Sequence, residues 1–354
     1  MEGEVMTANM GAGPMLVRKL SKEVRVGLDL ARAFAAIYVV AHHAVKLPRP
    51  FDMLLSFGQE AVIVFFLLSG FVIFANESER VRQPRGYYLR RVRRLYPTFL
   101  FAMLVSTILW LLGLIEADFH LSDLLGTVAS VQDISFLKPG VIAEPYLGND
   151  PLWSLSYEVL FYLMFPGVMY FWRKSERVTR WCISVVCVGS YVVYLAFPNH
   201  FSLVFSYFII WWAGAMLARL HQGLALRASS AVPEICGLST FVLVTAVGLI
   251  FYVPGSVGVF PILMVRHSGV ALLLFLLAFT SMRKLLWQFA LRFERPVTFV
   301  ASISYGLYVL HYPILVQIQV NEALWFVPLV GLTVFLAWFG DRILPRLIPS
   351  APRS

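Results

Sequence analysis

Apolar residues recur along this chain in runs of about twenty, separated by short polar segments. A run of that length matches a hydrocarbon core roughly 30 Å thick at 1.5 Å per helical residue. Ten runs stand out, at residues 28–45, 57–76, 96–115, 153–172, 179–197, 202–219, 235–253, 263–280, 297–319 and 325–343. They predict about ten transmembrane helices, hence an all-α, polytopic integral membrane protein. A short extra helix near 121–131 is expected at the interface. The fourth run opens on the mixed segment Trp153-Ser154-Leu155-Ser156-Tyr157-Glu158, and the eighth carries Arg266 and His267 near its outer end. No internal repeat is visible, nor the matched Gly/Pro-broken spans of an inverted-repeat transporter.

Composition agrees with the pattern. Hydrophobic residues make up 59% of the 354 positions and charged residues 14%, with a mean hydropathy of +0.75. Soluble domains run near 45–50% apolar and about 25% charged, so a soluble, disordered or fibrous chain is excluded. The net charge of +9 would suggest nucleic acid in a soluble protein. Here the basic residues lie between the apolar runs, which points to the positive-inside rule and not to a nucleic-acid partner. With the N-terminus placed in the cytoplasm and the spans alternating, 24 of the 29 Lys and Arg fall inside. Four (Lys46, Arg49, Lys138 and Arg266) fall outside, and Arg32 lies within a span. Both termini are therefore expected to be cytoplasmic, with tails 1–25 and 346–354 flanking one membrane domain, 26–345. The first run carries Asp29 and Arg32 and lacks a small-residue cleavage site, so it does not read as a removable signal peptide. Cys182, Cys187 and Cys236 form no CxxC pair and give no disulfide scaffold or zinc site. The longest extracytoplasmic segment, 116–152, sets Glu116, Asp118, Asp123, Asp133, Glu144 and Asp150 against Lys138 alone. It reads as a lid or rim over the helices, or as a plain surface loop, and is too small to fold alone.

Ionisable residues inside spans are costly and mark candidate function. Arg32 and His43, eleven residues apart, share one helix face about 16 Å apart along the axis. Asp29 sits one turn from Arg32 and can pair with it, while His42 points elsewhere. The bland alternative is that Arg32 snorkels to the headgroups and His43 caps an outer end. Ser69 precedes Gly70 late in the second run. Arg90, Arg91, Arg93 and Arg94 then stand within five residues, either as cytoplasmic anchors or as a clamp for phosphates, which guanidinium groups match in geometry. Glu158 has Ser154 one turn away on its face, next to Trp153. Ser304, Tyr308 and His311 follow i, i+4, i+7 as a polar stripe, which serves either chemistry or helix–helix adhesion. No metal motif is present, since His42 and His43 are adjacent and face apart. No G-x-G-x-x-G, P-loop or G-x-S-x-G occurs. On these residues alone, a transporter or flippase for a glycan or lipid-linked substrate stands beside an enzyme.

Several separated motifs together resemble one family. Leu28-Asp29-Leu30-Ala31-Arg32 with His43, Phe65-Phe66-Leu67-Leu68-Ser69-Gly70-Phe71, Arg91-Val92-Arg93-Arg94-Leu95-Tyr96-Pro97, Trp153-Ser154-Leu155-Ser156-Tyr157-Glu158 and Ile303-Ser304-Tyr305-Gly306-Leu307-Tyr308-Val309-Leu310-His311 resemble the signatures of the acyltransferase-3 type membrane O-acyltransferases. The resemblance covers about 25–345. It implies an acyl-CoA co-substrate, commonly acetyl-CoA, reached from the cytoplasm, with no tightly bound cofactor and no metal. The implied acceptor is a hydroxyl, often on a lipid-linked or exported glycan, and the implied home is the bacterial inner (plasma) membrane. His43 would be the catalytic base, Arg32 would position the donor, and Glu158 would support the site. Arg91 and Arg94, with Arg90 and Arg93 beside them, would hold the CoA phosphates. Asp29, Ser69, Trp153, Ser154, Ser304, Tyr308 and His311 would be supporting residues. Because the chain ends at Ser354, a single-domain member without an appended esterase-like domain is expected. The chemistry is coherent: a histidine can take the proton of a poorly nucleophilic hydroxyl, and a fixed cation stabilises the thioester oxyanion. The separation of Arg32 from His43 requires an extended pantetheine arm along their common face, with Arg32 on the donor path and His43 at the chemistry. An acyl-enzyme on His43 or a serine stays open.

Overall fold

The structure, a computed structural model, describes residues 20–223, 226–253, 255–319 and 322–348. The expected tails, with Arg18, Lys19 and Arg353, lie outside the described residues except for 20–25 and 346–348. Among the described residues the regular structure is helical throughout, apart from one isolated bridge between Gln132 and Ala143.

The helices follow the apolar runs. They are α1 (Lys22–Ala44), α2 (Gly58–Glu77), α3 (Pro84–Leu111), α4 (Leu121–Val128), α5 (Trp153–Lys174), α6 (Glu176–Ala196), α7 (His200–Gln222), α8 (Val232–Phe251), α9 (Ile262–Leu277), α10 (Met282–Arg292), α11 (Glu294–Ser302), α12 (Ser304–His311), α13 (Glu322–Trp338) and α14 (Leu344–Leu347). Oxygen-bearing caps start several of them. Ser21 accepts from the N–H of Val24 before α1, Ser175 from Val178 before α6, and Asn199 from Ser202 before α7, so orphan amides at these ends are satisfied. The short α4 is the extra helix expected near 121–131.

Ten spans were expected; among the described residues, seven unbroken helical segments are long and apolar enough to cross a bilayer, or up to nine if two bent pairs each count as one. The pairs are α9 with α10, bent by 84°, and α11 with the segment from Ser304 to Val316, bent by 53°. In the first, the chain turns sharply and continues as an amphipathic helix carrying Arg283, Lys284 and Arg292. The remaining expected run, the first, is α1, which is long enough but too polar to join the seven. Its Asp29, Arg32, His42 and His43 are the reason.

The centre of the molecule is α7, apolar on all sides and buried along most of its length, as a helix enclosed by others should be. Tyr207, Ile210 and Trp211 are fully buried. Helix α2 crosses it at backbone distance, because Gly70 and Gly214 carry no side chains there. A Cβ on Gly70 would lie 1.8 Å from the carbonyl oxygen of Trp211, and one on Gly214 1.9 Å from that of Leu67.

The 116–152 segment is tied down from within. Lys138 is completely buried, with Nζ 2.5 Å from Asp133 Oδ1 and 3.8 Å from the Trp153 ring centroid. Asp133 also accepts from Tyr157 at 2.6 Å. Burial pulls the Lys138 ammonium below its usual range, and the Asp133 carboxylate opposes that shift.

Candidate active site

A cavity of about 330 Å³ opens between α1, α2, α3, α5 and α12. Arg32, Arg91 and Arg94 supply its cationic wall. Ser69, Ser154, Glu158, Tyr162, Ser304, Tyr305 and Tyr308 supply hydroxyls and a carboxylate, and Phe65, Leu68 and Val72 an apolar flank. Each guanidinium is held from behind. Asp29 Oδ1 lies 3.6 Å from Arg32 and the buried Asp341 3.7 Å from Arg94. The buried Glu77 takes Arg91 at 2.9 Å and Arg90 at 2.6 Å. One carboxylate between two guanidiniums leaves positive charge at this end of α3, and the aromatic rings of Tyr87 and Tyr162 lie 5.8 Å from the Arg91 carbon.

Glu158 is equally well placed. Ser69 donates to its Oε1 at 2.9 Å, and Tyr162 donates to the same oxygen. The indole N–H of Trp211 in turn donates to Ser69 Oγ at 3.1 Å. That bond exists because α2 and α7 touch at Gly70, the residue after Ser69. On α12, Tyr308 shares a 2.9 Å hydrogen bond with Ser154, while Ser304 donates to the Ala301 carbonyl.

Tyr308 is also a wall of a second cavity, of about 170 Å³, lined by His43, Gln59, Phe136, Asp150 and Trp153 among others. The two chambers thus meet at one phenol, with Arg32 in the first and His43 in the second. This is the separation that their spacing along α1 requires. His43 Nδ1 lies 3.0 Å from His311 Nε2, and His311 Nδ1 lies 3.0 Å from the carbonyl oxygen of Leu307. A carbonyl only accepts, so His311 carries its proton on Nδ1, and with both rings neutral its Nε2 is an acceptor. His43 must then donate from Nδ1, which puts its lone pair on Nε2. A second imidazole therefore orients the candidate base, the part a carboxylate plays in a hydrolase triad. His42 bonds the Leu55 carbonyl instead, on another side of α1 as its position predicts.

Of the residues singled out in the sequence, Arg32, Ser69, Arg91, Arg94, Ser154, Glu158, Ser304 and Tyr308 line the first cavity, and His43, Trp153 and Tyr308 the second. Asp29 and His311 stand directly behind Arg32 and His43. Arg90 and Arg93 are not walls of either chamber: Arg90 is bound to Glu77, and Arg93 donates to the Pro345 carbonyl at 2.7 Å. Sequence reasoning missed Glu77, Trp211 and Asp341. Asp341 was findable as a lone acid near the end of the last apolar run. It accepts from Thr98 and from the amide of Gly306, which locks α3 to the start of α12.

The profile of a family described as an acyltransferase domain, acyltransferase 3, matches residues 25–343. Nodulation protein 10 of Rhizobium leguminosarum bv. viciae is 29% identical over 203 residues, covering 52% of this chain and 53% of that protein. O-acetyltransferase OatA of Staphylococcus aureus is 26% identical over 320 residues, covering 83% and 51%. Acyltransferase MdmB of Streptomyces mycarofaciens is 32% identical over 175 residues, covering 44% of each. The chain spans about half the length of these curated relatives. No solved structure matches it significantly.

Proposed function

The chain belongs to the acyltransferase-3 family and is a multi-pass membrane acyltransferase, and from that premise we propose its donor, acceptor and mechanism. The donor is an acyl-CoA, with acetyl favoured by the name of the O-acetyltransferase among its relatives. The acceptor is a hydroxyl of a sugar or other envelope molecule, and the site of action is the bacterial inner membrane. CoA phosphates approach Arg91 and Arg94 from the cytoplasmic side, and the pantetheine arm runs along the apolar flank of the first chamber past Arg32. The thioester reaches the junction at Tyr308. There His43 Nε2 takes the proton of the acceptor hydroxyl as its oxygen attacks the thioester carbon. The C–S bond then breaks, and the CoA thiolate leaves and recovers the proton from the imidazolium. The Tyr308 hydroxyl donates to the developing oxyanion, and Arg32 holds the donor on its path.

The observation that carries this reading is the pair of chambers meeting at Tyr308, one bearing three guanidiniums and the other an oriented histidine. The test is transfer from radiolabelled acetyl-CoA by protein in nanodiscs, with an envelope-glycan extract as acceptor. His43→Ala should lose product by about 10²–10⁴-fold, the usual worth of a positioned general base, with CoA binding retained. Arg94→Ala should weaken CoA binding. Folded protein that binds no CoA would overturn the donor assignment.

A further inference from the structure

The second chamber holds polar groups that the acyl-transfer reading does not use. Gln59, at the start of α2, has a buried side-chain oxygen with no hydrogen-bond partner. Buried polar atoms are nearly always paired, so an orphan needs a donor. Asp150 accepts from the Tyr312 hydroxyl at 3.0 Å through Oδ2, which leaves its other carboxylate oxygen for the chamber. The Tyr312 ring stands edge-on to His43 at 5.3 Å, so Asp150 is tied to the candidate base through one side chain. Trp153 and Phe136 give the same space two aromatic surfaces.

We propose that this chamber is the acceptor subsite and that it selects a neutral, polyhydroxylated ring, with Gln59 and Asp150 accepting hydrogen bonds from hydroxyls beside the one that is acylated. This rests on the acyl-transfer reading above. Two acceptors and aromatic faces suit a ring rich in O–H donors with apolar C–H faces. The volume, about 170 Å³, lies below the range of roughly 300–1,000 Å³ usual for ligand pockets, so one ring or one hydroxylated end enters at a time. Charge argues for neutrality. The 116–152 segment that lines this end carries six carboxylates, and its single lysine is spent on Asp133. Among the described residues no Lys or Arg lines the chamber, so a carboxylated or phosphorylated ring would meet Asp150 uncompensated.

The test uses full-length protein in nanodiscs. Binding of methyl glucoside, methyl N-acetylglucosaminide and methyl glucuronide is measured by saturation-transfer NMR, and acetyl transfer to each by product mass. The neutral glycosides should bind and accept, and the glucuronide should do so at least tenfold less well. Gln59→Leu and Asp150→Asn should each raise the KM for a neutral glycoside roughly tenfold, the worth of one hydrogen bond to a strong acceptor. CoA binding should not change, which also shows that the variants fold. A glucuronide equal to the glucosides, no binding of any neutral glycoside, or both variants at wild-type KM would each overturn the subsite. Failure of CoA binding in the wild type would instead sink the donor reading, while the glycoside binding still reports on this chamber.

Discussion

A histidine is a useful base only if its lone pair points at the reacting proton, and His43 owes that orientation to His311. The chain of acceptors from Leu307 through His311 leaves a single arrangement of protons for the neutral pair. Replacing His311 by Gln keeps an acceptor near the place of Nε2, whereas Ala removes it. His311→Ala should therefore lower kcat by at least about tenfold with the KM for donor unchanged, and His311→Gln should recover part of that loss. Equal losses in both, together with a lower melting temperature, would mark His311 as mere packing. Much of this residue-level site was legible in the sequence, because a charge or hydroxyl in an apolar run is conspicuous. Which of the four clustered arginines face the cavity does not follow from their spacing alone. On α3 that depends on where Glu77, thirteen residues before Arg90 in the chain, comes to lie after α2 turns into α3. Glu77 directly follows the second apolar run and looks like an ordinary interfacial acid until the fold places two guanidiniums on it.

At the level of elements, the site depends on how closely helices approach. Serine at position 69 can reach both Glu158 and Trp211 only because the next residue has no side chain, and α2 rests on the α7 backbone. Close approach through small residues is a common way for helices to associate in lipid. Adding a methyl to a tight core costs about 1–3 kcal/mol even where neighbours can give way, and here the neighbour is a main-chain carbonyl. Gly70→Ala should lower the melting temperature in nanodiscs and reduce transfer together. Gly269→Ala, where a Cβ meets nothing within 4 Å, should leave both near wild type. Equal behaviour of the two would show that the α2–α7 crossing is looser than described. Hydropathy located these helices well but not their breaks. The break at Ile303 between α11 and α12 and the π-helical stretches at Tyr312–Val316 and Phe339–Ile343 fall inside continuous apolar runs, where only tertiary contacts distinguish a straight helix from a broken one. Both π stretches adjoin functional groups: the first follows His311, and the second contains Asp341. A widened turn redirects the chain where a side chain must be placed.

The whole molecule has two chemically different ends, and its long-range contacts respect them. At one end Lys22 pairs with Glu294, Arg93 with the Pro345 carbonyl, Arg180 with Glu234, and Arg173 with the Ser78 carbonyl. At the other, Arg266 reaches the Ser56 carbonyl, Tyr194 reaches Pro139, and Gln317 reaches Leu147. Each contact joins segments that the alternation of apolar runs puts on the same side. The basic end holds the guanidinium chamber, and the acidic end holds His43. If the basic end faces the cytoplasm, as positive-inside charge bias directs, acyl-CoA and an exported acceptor meet across the membrane at Tyr308. Membrane-impermeant maleimide on intact cells tests this. In a background lacking Cys182, Cys187 and Cys236, Asp118→Cys should label from outside, and Arg85→Cys, in the first turn of α3, only after permeabilisation. The reverse pattern would place the arginine chamber away from the cytoplasmic pool of acyl-CoA. The donor path through Arg91 and Arg94 would then have to be abandoned, while the family assignment and the pairing of His43 with His311 would stand.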